Sequence, residues 1–274
     1  MRINNIKEKF IQLLYHACQR GEANDIQNVG TLFNYLSQHY HDTAGNKHIL
    51  DKVINTVFPG GNTMLIVASE AGHKDIVQLL MNTLLQVNAD VASTINYHNS
   101  EGNTALILAI LHGNTQVVQV LLKALQGINH DIHTTLLHRN RNGKCAMDLA
   151  VMKGNIEIMS NLIDAYIRAL STTERNNYLI TSCNDGSSAN VKQILKTLDT
   201  REKIESAMYY RDPDGNTALI HAVENGHTEV VKLLIDAYQN GNVDMATAIN
   251  RKNIDGDTAL ICAVDNGNEK VVLS

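Results

Sequence analysis

The sequence predicts an all-α solenoid of about seven helix–turn–helix units, and two observations support this fold class. The first is a recurring segment, GNTALIHAVENGHTEVVKLL from Gly215, which returns in similar form from Gly61, Gly102 and Gly256 and more loosely from Gly143. The second is its spacing, because neighbouring copies start 41 residues apart and one interval of 72 residues leaves room for a further unit. A fixed period of this size is typical of stacked repeats.

Each part of the unit that starts at Gly215 has a predicted role. Gly215 occupies a turn tip that favours a positive φ, and the side chain of Thr217 is expected to cap the first helix. Apolar residues with helical spacing follow, Gly226 ends this helix in the left-handed region, and a second helix begins near Thr228. The expected caps in the five good copies are Thr63, Thr104, Thr217 and Thr258, with Cys145 as a weaker substitute.

The glycines follow the repeat rather than a phosphate-binding pattern. Of the 17 glycines, 12 fall at the turn tips or at the ends of first helices. The predicted tips are Gly61, Gly102, Gly143, Gly215 and Gly256, and the predicted helix ends are Gly21, Gly72, Gly113, Gly154, Gly186, Gly226 and Gly267. None stands in a G-x-x-x-x-G-K-[ST] or G-x-G-x-x-G context, so no nucleotide or other cofactor site is predicted.

A short third helix is predicted after the second helix of most units. Segments 88–96, 129–137 and 242–250 each contain an Asp followed by an apolar residue, with Ile or Leu four positions later. Asp90, Asp131 and Asp244 are the expected N-caps of these helices.

These segments resemble the ankyrin repeat, whose core pattern is G-x-T-P-L-H-x-A-x-x-G-H-x-x-[VI]-V-x-L-L. Five units carry the pattern, and the resemblance spans most of the chain. The family Pro is replaced by Met64 or by Ala, and the period exceeds the family's roughly 33 residues. The residues that replace the family His are Ile66, Ile107, Asp148, Ile220 and Ile261. The resemblance implies an ankyrin-type solenoid that binds a protein.

The domain organisation follows from where the pattern is strong. Residues 1–58 are expected to form a degenerate N-terminal capping repeat with a loop, and residues 59–274 an array with units from about 59, 100, 141, 171, 211 and 252. The unit from about 171 lacks the hairpin Gly and Thr, and RNNY (175–178) stands where its tip should be. Because the last unit ends within its second helix, we expect the array to continue beyond residue 274.

Composition excludes several other classes of protein. A net charge of −5 and a pI near 6.2 argue against nucleic-acid binding. The four cysteines form no C-x-x-C pair, which favours a reducing, cytosolic compartment. There is no Sec-type signal peptide and no apolar run long enough for a membrane span.

No catalytic, cofactor-binding or metal-binding residue is predicted. His130, His133 and His138 have a spacing that zinc tolerates, but they lack acidic or thiol companions and are expected to be solvated. Cys18 and Cys183 occupy small-residue positions of first helices, so packing explains them. No nucleophile–base pair can be named, and this segment is predicted not to be an enzyme.

Partner-binding residues are expected at the turn tips, which we call fingers, and along the rim of a concave groove. Stacking would align the finger residues, where Arg and Tyr are common interface anchors. A solvated, purely structural role for these cations is the alternative, and the apolar Leu111 and Met152 either contact a partner or are covered by a neighbouring hairpin. The candidates are Tyr97, His98, Arg139, Arg141, Tyr210, Arg211, Arg251 and Lys252 on the fingers, and Leu111, His112, Met152 and Glu224 on the rim.

The predicted function is a protein–protein interaction scaffold, expected to be monomeric, with one protein partner. Long repeats, few prolines and many asparagines resemble the arrays of effectors that intracellular bacteria deliver into host cells, which implies a host-protein target. The alternative is the substrate-recognition part of a larger enzyme whose catalytic domain lies C-terminal to residue 274.

Overall fold

The computed structural model describes residues 2–22, 27–31, 33–34, 52–128 and 132–268, with side chains from Ile11 onward. These residues form helices and turns without a β-strand, apart from two isolated bridges, Phe58 with Asn62 and His98 with Thr104. The described helices confirm the all-α prediction. They fall into two compact units, Met1–Tyr166 and Ile167–Ser274. The predicted boundary after residue 58 stays a prediction.

The first unit contains a long N-terminal helix followed by three repeats. Residues 27–31, 33–34 and 52–54 are also helical, and Pro59–Gly61 form a 3-10 turn. The helices are α1 (Arg2–Arg20), α2 (Met64–Ala71), α3 (Lys74–Gln86), α4 (Val91–Asn96), α5 (Ala105–Leu111), α6 (Thr115–Gln126), α7 (Ile132–Leu137), α8 (Ala146–Lys153) and α9 (Ile156–Ala169).

The second unit contains the degenerate repeat, one full repeat and the start of another. Its helices are α10 (Thr172–Asn184), α11 (Ser188–Thr197), α12 (Arg201–Tyr209), α13 (Ala218–Glu224), α14 (Thr228–Asn240), α15 (Met245–Ile249) and α16 (Ala259–Asp265). The short third helices α4, α7, α12 and α15 confirm the extra element predicted from the long period.

Side-chain caps begin the helices where the sequence predicted them. All four threonines accept a bond from the backbone N–H three residues later, at 3.3 to 3.4 Å. Asp90 and Asp244 cap α4 and α15 in the same way, while Asp131 lies outside the described residues. At the start of α8 the N–H of Cys145 donates to Asp148 Oδ2 at 3.1 Å, which is the half of a capping box that the residue three positions after the cap supplies.

The glycine assignments are confirmed. All 12 glycines predicted at tips and helix ends have φ between 63° and 90°. This region strains residues that carry a Cβ, which is why the repeat keeps Gly at these two positions.

Stacked first helices form the core of each unit. In the first unit α1 packs on α2, α2 on α5 and α5 on α8, and in the second unit α10 packs on α13 and α13 on α16. The apolar residues of α13 that have helical spacing are buried, namely Ala218, Leu219, Ala222 and Val223. In α14 Val230 and Leu234 are buried as well, whereas Leu233 is half-buried. Each helix pair therefore covers its apolar face with the next pair, as repeat architectures do.

Neighbouring first helices are also joined, at four places, by the residue after the helix-ending Gly. His73 Nε2 donates to the carbonyl oxygen of Gln19 at 3.0 Å, and His227 Nε2 donates to that of Asn184 at 2.9 Å. Asparagine does the same in other repeats, where Asn114 bonds to Ser69 and Glu70 and Asn268 bonds to Val223 and Glu224. These bonds satisfy carbonyl groups that a helix C-terminus leaves free.

The degenerate repeat has no finger. Residues 175–178, where we expected the remains of a tip, lie inside α10, which is therefore longer than the first helices of the five good repeats. Without a Gly to reverse the chain, Ser171 begins the helix instead and forms a capping box with Glu174. Arg175 is buried and donates to the carbonyl oxygens of Ile167 and Leu170.

Candidate protein-interaction surface

One Asn or Asp folds each of four fingers. It lies three residues before the tip Gly, and its Oδ1 accepts two backbone N–H groups of the turn at 2.8 to 3.1 Å. The four residues are Asn99, Asn140, Asp212 and Asn253. Side-chain turns of this kind are common for Asn and Asp. Sequence reasoning missed them, although the recurrence of Asn or Asp at this position was a visible signal.

Fingers within a unit are joined edge to edge. The N–H of Ser100 donates to Gly60 at 2.9 Å and the N–H of Arg141 donates to Glu101 at 3.0 Å. In the second unit the N–H of Ile254 donates to Asp214 at 3.0 Å. The fingers of one unit are therefore a connected surface rather than independent loops.

Two of the predicted finger cations brace their own fingers. Arg139 Nη1 donates to the carbonyl of Gly143 at 2.6 Å and to Asp148 Oδ2 at 2.9 Å. Arg211 makes the same contact in the second unit, where its Nε donates to Gly215 at 3.0 Å, and its Nη2 reaches the carbonyl of Lys252 at 2.6 Å. Both arginines are exposed, but part of their donor capacity is used internally.

The remaining finger candidates divide between exposed and packed residues. His98, Arg141 and Lys252 are exposed, and Tyr97 retains 37% of its surface. His98 stacks on His138 of the next finger with ring centroids 5.5 Å apart.

The two remaining finger candidates, Tyr210 and Arg251 of the second unit, are more enclosed. Tyr210 is half-buried. Arg251 lies over the ring of Tyr209 at 4.5 Å, and its Nη1 donates to the Tyr209 carbonyl at 3.3 Å. Cation–π packing of this kind stabilises the finger base and leaves less of Arg251 for a partner.

The rim candidates differ in how far the core covers them. Leu111 is partly buried against the core of the first unit, whereas Met152 is 66% exposed. His112 is exposed beside Glu70 at 3.7 Å, and Glu224 is exposed on α13. Of the two apolar rim residues, Leu111 is partly covered by the core, and Met152 is the one that meets solvent.

Comparison with known proteins shows which family this geometry belongs to. A family model described as ankyrin repeats matches in three copies, at residues 4–135, 82–173 and 179–274. The chain belongs to the ankyrin repeat family. No curated protein sequence matches it. Among solved structures it is similar to the ankyrin repeat domain of Bcl-3, described as a unique member of the IkappaB protein family, at 19% identity and a TM-score of 0.42, over 95% of this chain and 97% of that one.

The described part of this ankyrin chain holds no cluster of three or more His, Cys, Asp or Glu side chains that could bind a metal ion. His133 is half-buried 4.7 Å from the ring of Tyr166, and His130 lies outside the described residues. All four cysteines are buried, and burial raises the pKa of Cys183 to about 12 and also raises the pKa of Cys262. Thiols in this state are poor nucleophiles. Among the described helices, none is both long enough and apolar enough to cross a bilayer.

Proposed function

We propose that this chain is a protein-interaction module that holds one protein partner on the fingers and the rim of its repeats. Membership of the ankyrin repeat family carries this proposal, since ankyrin repeats generally mediate protein–protein interaction and are typically non-catalytic. The connected fingers support it because they offer a partner a preformed surface, and preformed surfaces lower the entropic cost of binding.

The exposure of the candidates ranks them for this role. The exposed candidates that do not brace their own finger are Tyr97, His98, Arg141, Lys252, His112, Met152 and Glu224. Three arginines both contact the partner and stabilise their own fingers, namely Arg139, Arg211 and Arg251. Two half-buried candidates, Tyr210 and Leu111, contribute mainly through packing. We therefore propose that the first group makes the energetically important contacts.

A finer proposal concerns the source of the partner. The repeat period of 41 residues and the presence of only two prolines support a bacterial effector whose partner is a host-cell protein. Fusing the chain to a cytosol-activated reporter and infecting cultured cells tests delivery. A reporter that stays silent in infected cells, while it is active when expressed directly inside them, contradicts this part.

Site-directed photocrosslinking tests the interaction itself. A photoreactive residue at His112 or Glu224 should capture a discrete protein from host-cell lysate. The same residue at Lys232, which is exposed on the second helix α14, is the matched control and should capture little. Equal capture from all three positions would remove the rim from the proposal.

A further inference from the structure

The third repeat of the first unit differs from the other four good repeats in charge. The comparison uses a window of 17 residues in each repeat, from four residues before the tip Gly to 12 residues after it. In chain order the five windows carry formal charges of −1, −1, +3, −2 and −2. The positive window, residues 139–155, contains Arg139, Arg141, Lys144 and Lys153 against Asp148 alone. A chain of net charge −5 therefore concentrates cations at one finger and its first helix.

Two of these cations lie on the finger itself and are free to meet a partner. Arg139 is already held by Asp148 at 2.9 Å. Arg141 and Lys144 are exposed on the same finger, and within the part of the chain that the structure describes their charged groups have no hydrogen-bond or ion-pair partner. The finger thus presents two uncompensated positive charges on a backbone that the Asn140 side chain holds in place.

Apolar side chains lie in solvent in the same repeat. Met152 is 66% exposed and stands where three other repeats have Glu70, Glu224 or Asp265 and one has the partly buried Leu111. Ile156 is 81% exposed at the start of α9, and Val151 is 61% exposed. In the two preceding repeats the residues equivalent to Val151 are Ser69 and Ile110, both fully buried.

The cations and Met152 lie on the same side of the repeat. The Arg139–Asp148 ion pair ties the finger to the first turn of α8. Met152 follows Asp148 by four residues in that helix, and residues with this separation share a helix face. A partner segment along that face would meet the basic finger at one end and the apolar side chains at the other.

We propose that the third repeat of the first unit anchors the partner, and that it takes an acidic amphipathic segment. Carboxylates of the segment would pair with Arg141 and Lys144, and its apolar side chains would cover Met152 and its neighbours. This inference rests on the proposed interaction function and names the chemistry of the partner. Complementary charge is the argument for an acidic occupant, because among the five good repeats this is the one whose window is positive and would repel a basic segment.

Three synthetic peptides test this inference by fluorescence anisotropy. They share one amphipathic apolar pattern and carry Glu, Lys or Gln at every polar position. The Glu peptide should bind, and its affinity should fall when ionic strength rises because exposed charges are screened. Binding of the Lys or Gln peptide as tightly as the Glu peptide would overturn the inference, and so would no binding of the Glu peptide.

Charge-reversed variants locate the site. Arg141→Glu with Lys144→Glu, and separately Met152→Asp, should each raise the Kd of the Glu peptide by about tenfold or more. Lys74→Glu with Lys123→Glu is the matched control, because these exposed residues of α3 and α6 make the same charge change outside the third repeat. Equal effects of the charge-reversed pair and its control would refute the site. Circular dichroism checks that all variants stay helical.

Two further results separate this inference from the proposed function. If crosslinking at the rim captures a protein while the Glu peptide does not bind, the interaction role stands and the acidic segment is wrong. Sedimentation velocity then asks whether the apolar side chains join two copies of the chain. A dimer that Met152→Asp dissociates would also overturn the inference.

Discussion

Asn140 Nδ2 donates to Asn103 Oδ1 at 2.9 Å and so joins two neighbouring fingers of the first unit through buried side chains. The Oδ1 of the same Asn140 accepts the N–H groups of Asn142 and Lys144 at 3.0 and 3.1 Å. One amide therefore folds its own finger and fastens it to the preceding one. The pair formed by Asn99 and Asn62 repeats this bond one finger earlier, at 3.0 Å.

Replacing Asn140 with Ala should lower the free energy of unfolding by about 2 kcal/mol or more, because it leaves backbone donors and the Asn103 amide oxygen without their partner. Urea denaturation of the full chain measures this. Asn142→Ala, an exposed change on the same finger, should stay within about 0.5 kcal/mol of wild type. If the two variants are equally stable, the fingers are not held by this amide.

His227 should tolerate Asn but not Ala. His227→Ala removes the bond to the carbonyl of Asn184 and is expected to cost about 1 kcal/mol. His227→Asn should recover most of that loss, because Asn268 bonds to the preceding helix end from the same position. Thermal unfolding of the three proteins measures the order. An Asn variant no better than the Ala variant would show that the ring packing, not the bond, is what matters.

Asp148 should make part of the stability depend on pH. The N–H of Cys145 and, beyond it, the guanidinium of Arg139 hold the pKa of Asp148 below its ordinary value of 3.8. A carboxyl whose pKa is lower in the folded state stabilises the protein above its unfolded pKa, and this contribution is lost as pH falls through the folded pKa.

Asp148→Asn should therefore lower the Tm at neutral pH, and the difference from wild type should shrink as the pH falls below 3.8. Asp236→Asn, an exposed change on α14, provides the control for general charge effects. A Tm difference for Asp148→Asn that is the same at acidic and neutral pH would argue against the ion pair and for a packing effect.

Cys183 should be protected from alkylation in the native protein. Burial raises its pKa to about 12, so the reactive thiolate is scarce at mildly alkaline pH. Iodoacetamide labelling followed by mass spectrometry should show slow modification in native buffer and rapid modification in denaturant. Rapid native labelling of Cys183, with the other three cysteines protected, would show that this thiol is accessible and reactive rather than buried.

The predictions that succeeded concern local features. The capping threonines, the left-handed glycines and the Asp caps of the third helices depend on residues within four positions of one another. The missing finger of the degenerate repeat was visible as a missing Gly and Thr, but the helix that replaces it was not. Its start depends on Ser171 and Glu174, which lie before the segment where the tip was sought.

The repeat pattern of the sequence did not predict the contacts between repeats. The bonds from Asn140 to Asn103 and from His227 to Asn184 join residues 37 and 43 positions apart. The pattern also could not separate Leu111 from Met152, which occupy equivalent positions in neighbouring repeats. Their exposure differs because the core partly covers Leu111 and leaves Met152 in solvent. Whether Arg139 and Arg211 serve a partner or their own fingers also depended on which carbonyl groups lay within reach.

The sequence by itself determined the helical repeat, its period and the residues that begin and end each helix, because turns and caps are satisfied by near neighbours along the chain. Only the tertiary structure decided which side chains brace the fingers and which remain in solvent. Exposure and hydrogen bonding at a repeat position depend on what the adjacent repeat places against it, and copies of one pattern do not share the same neighbour.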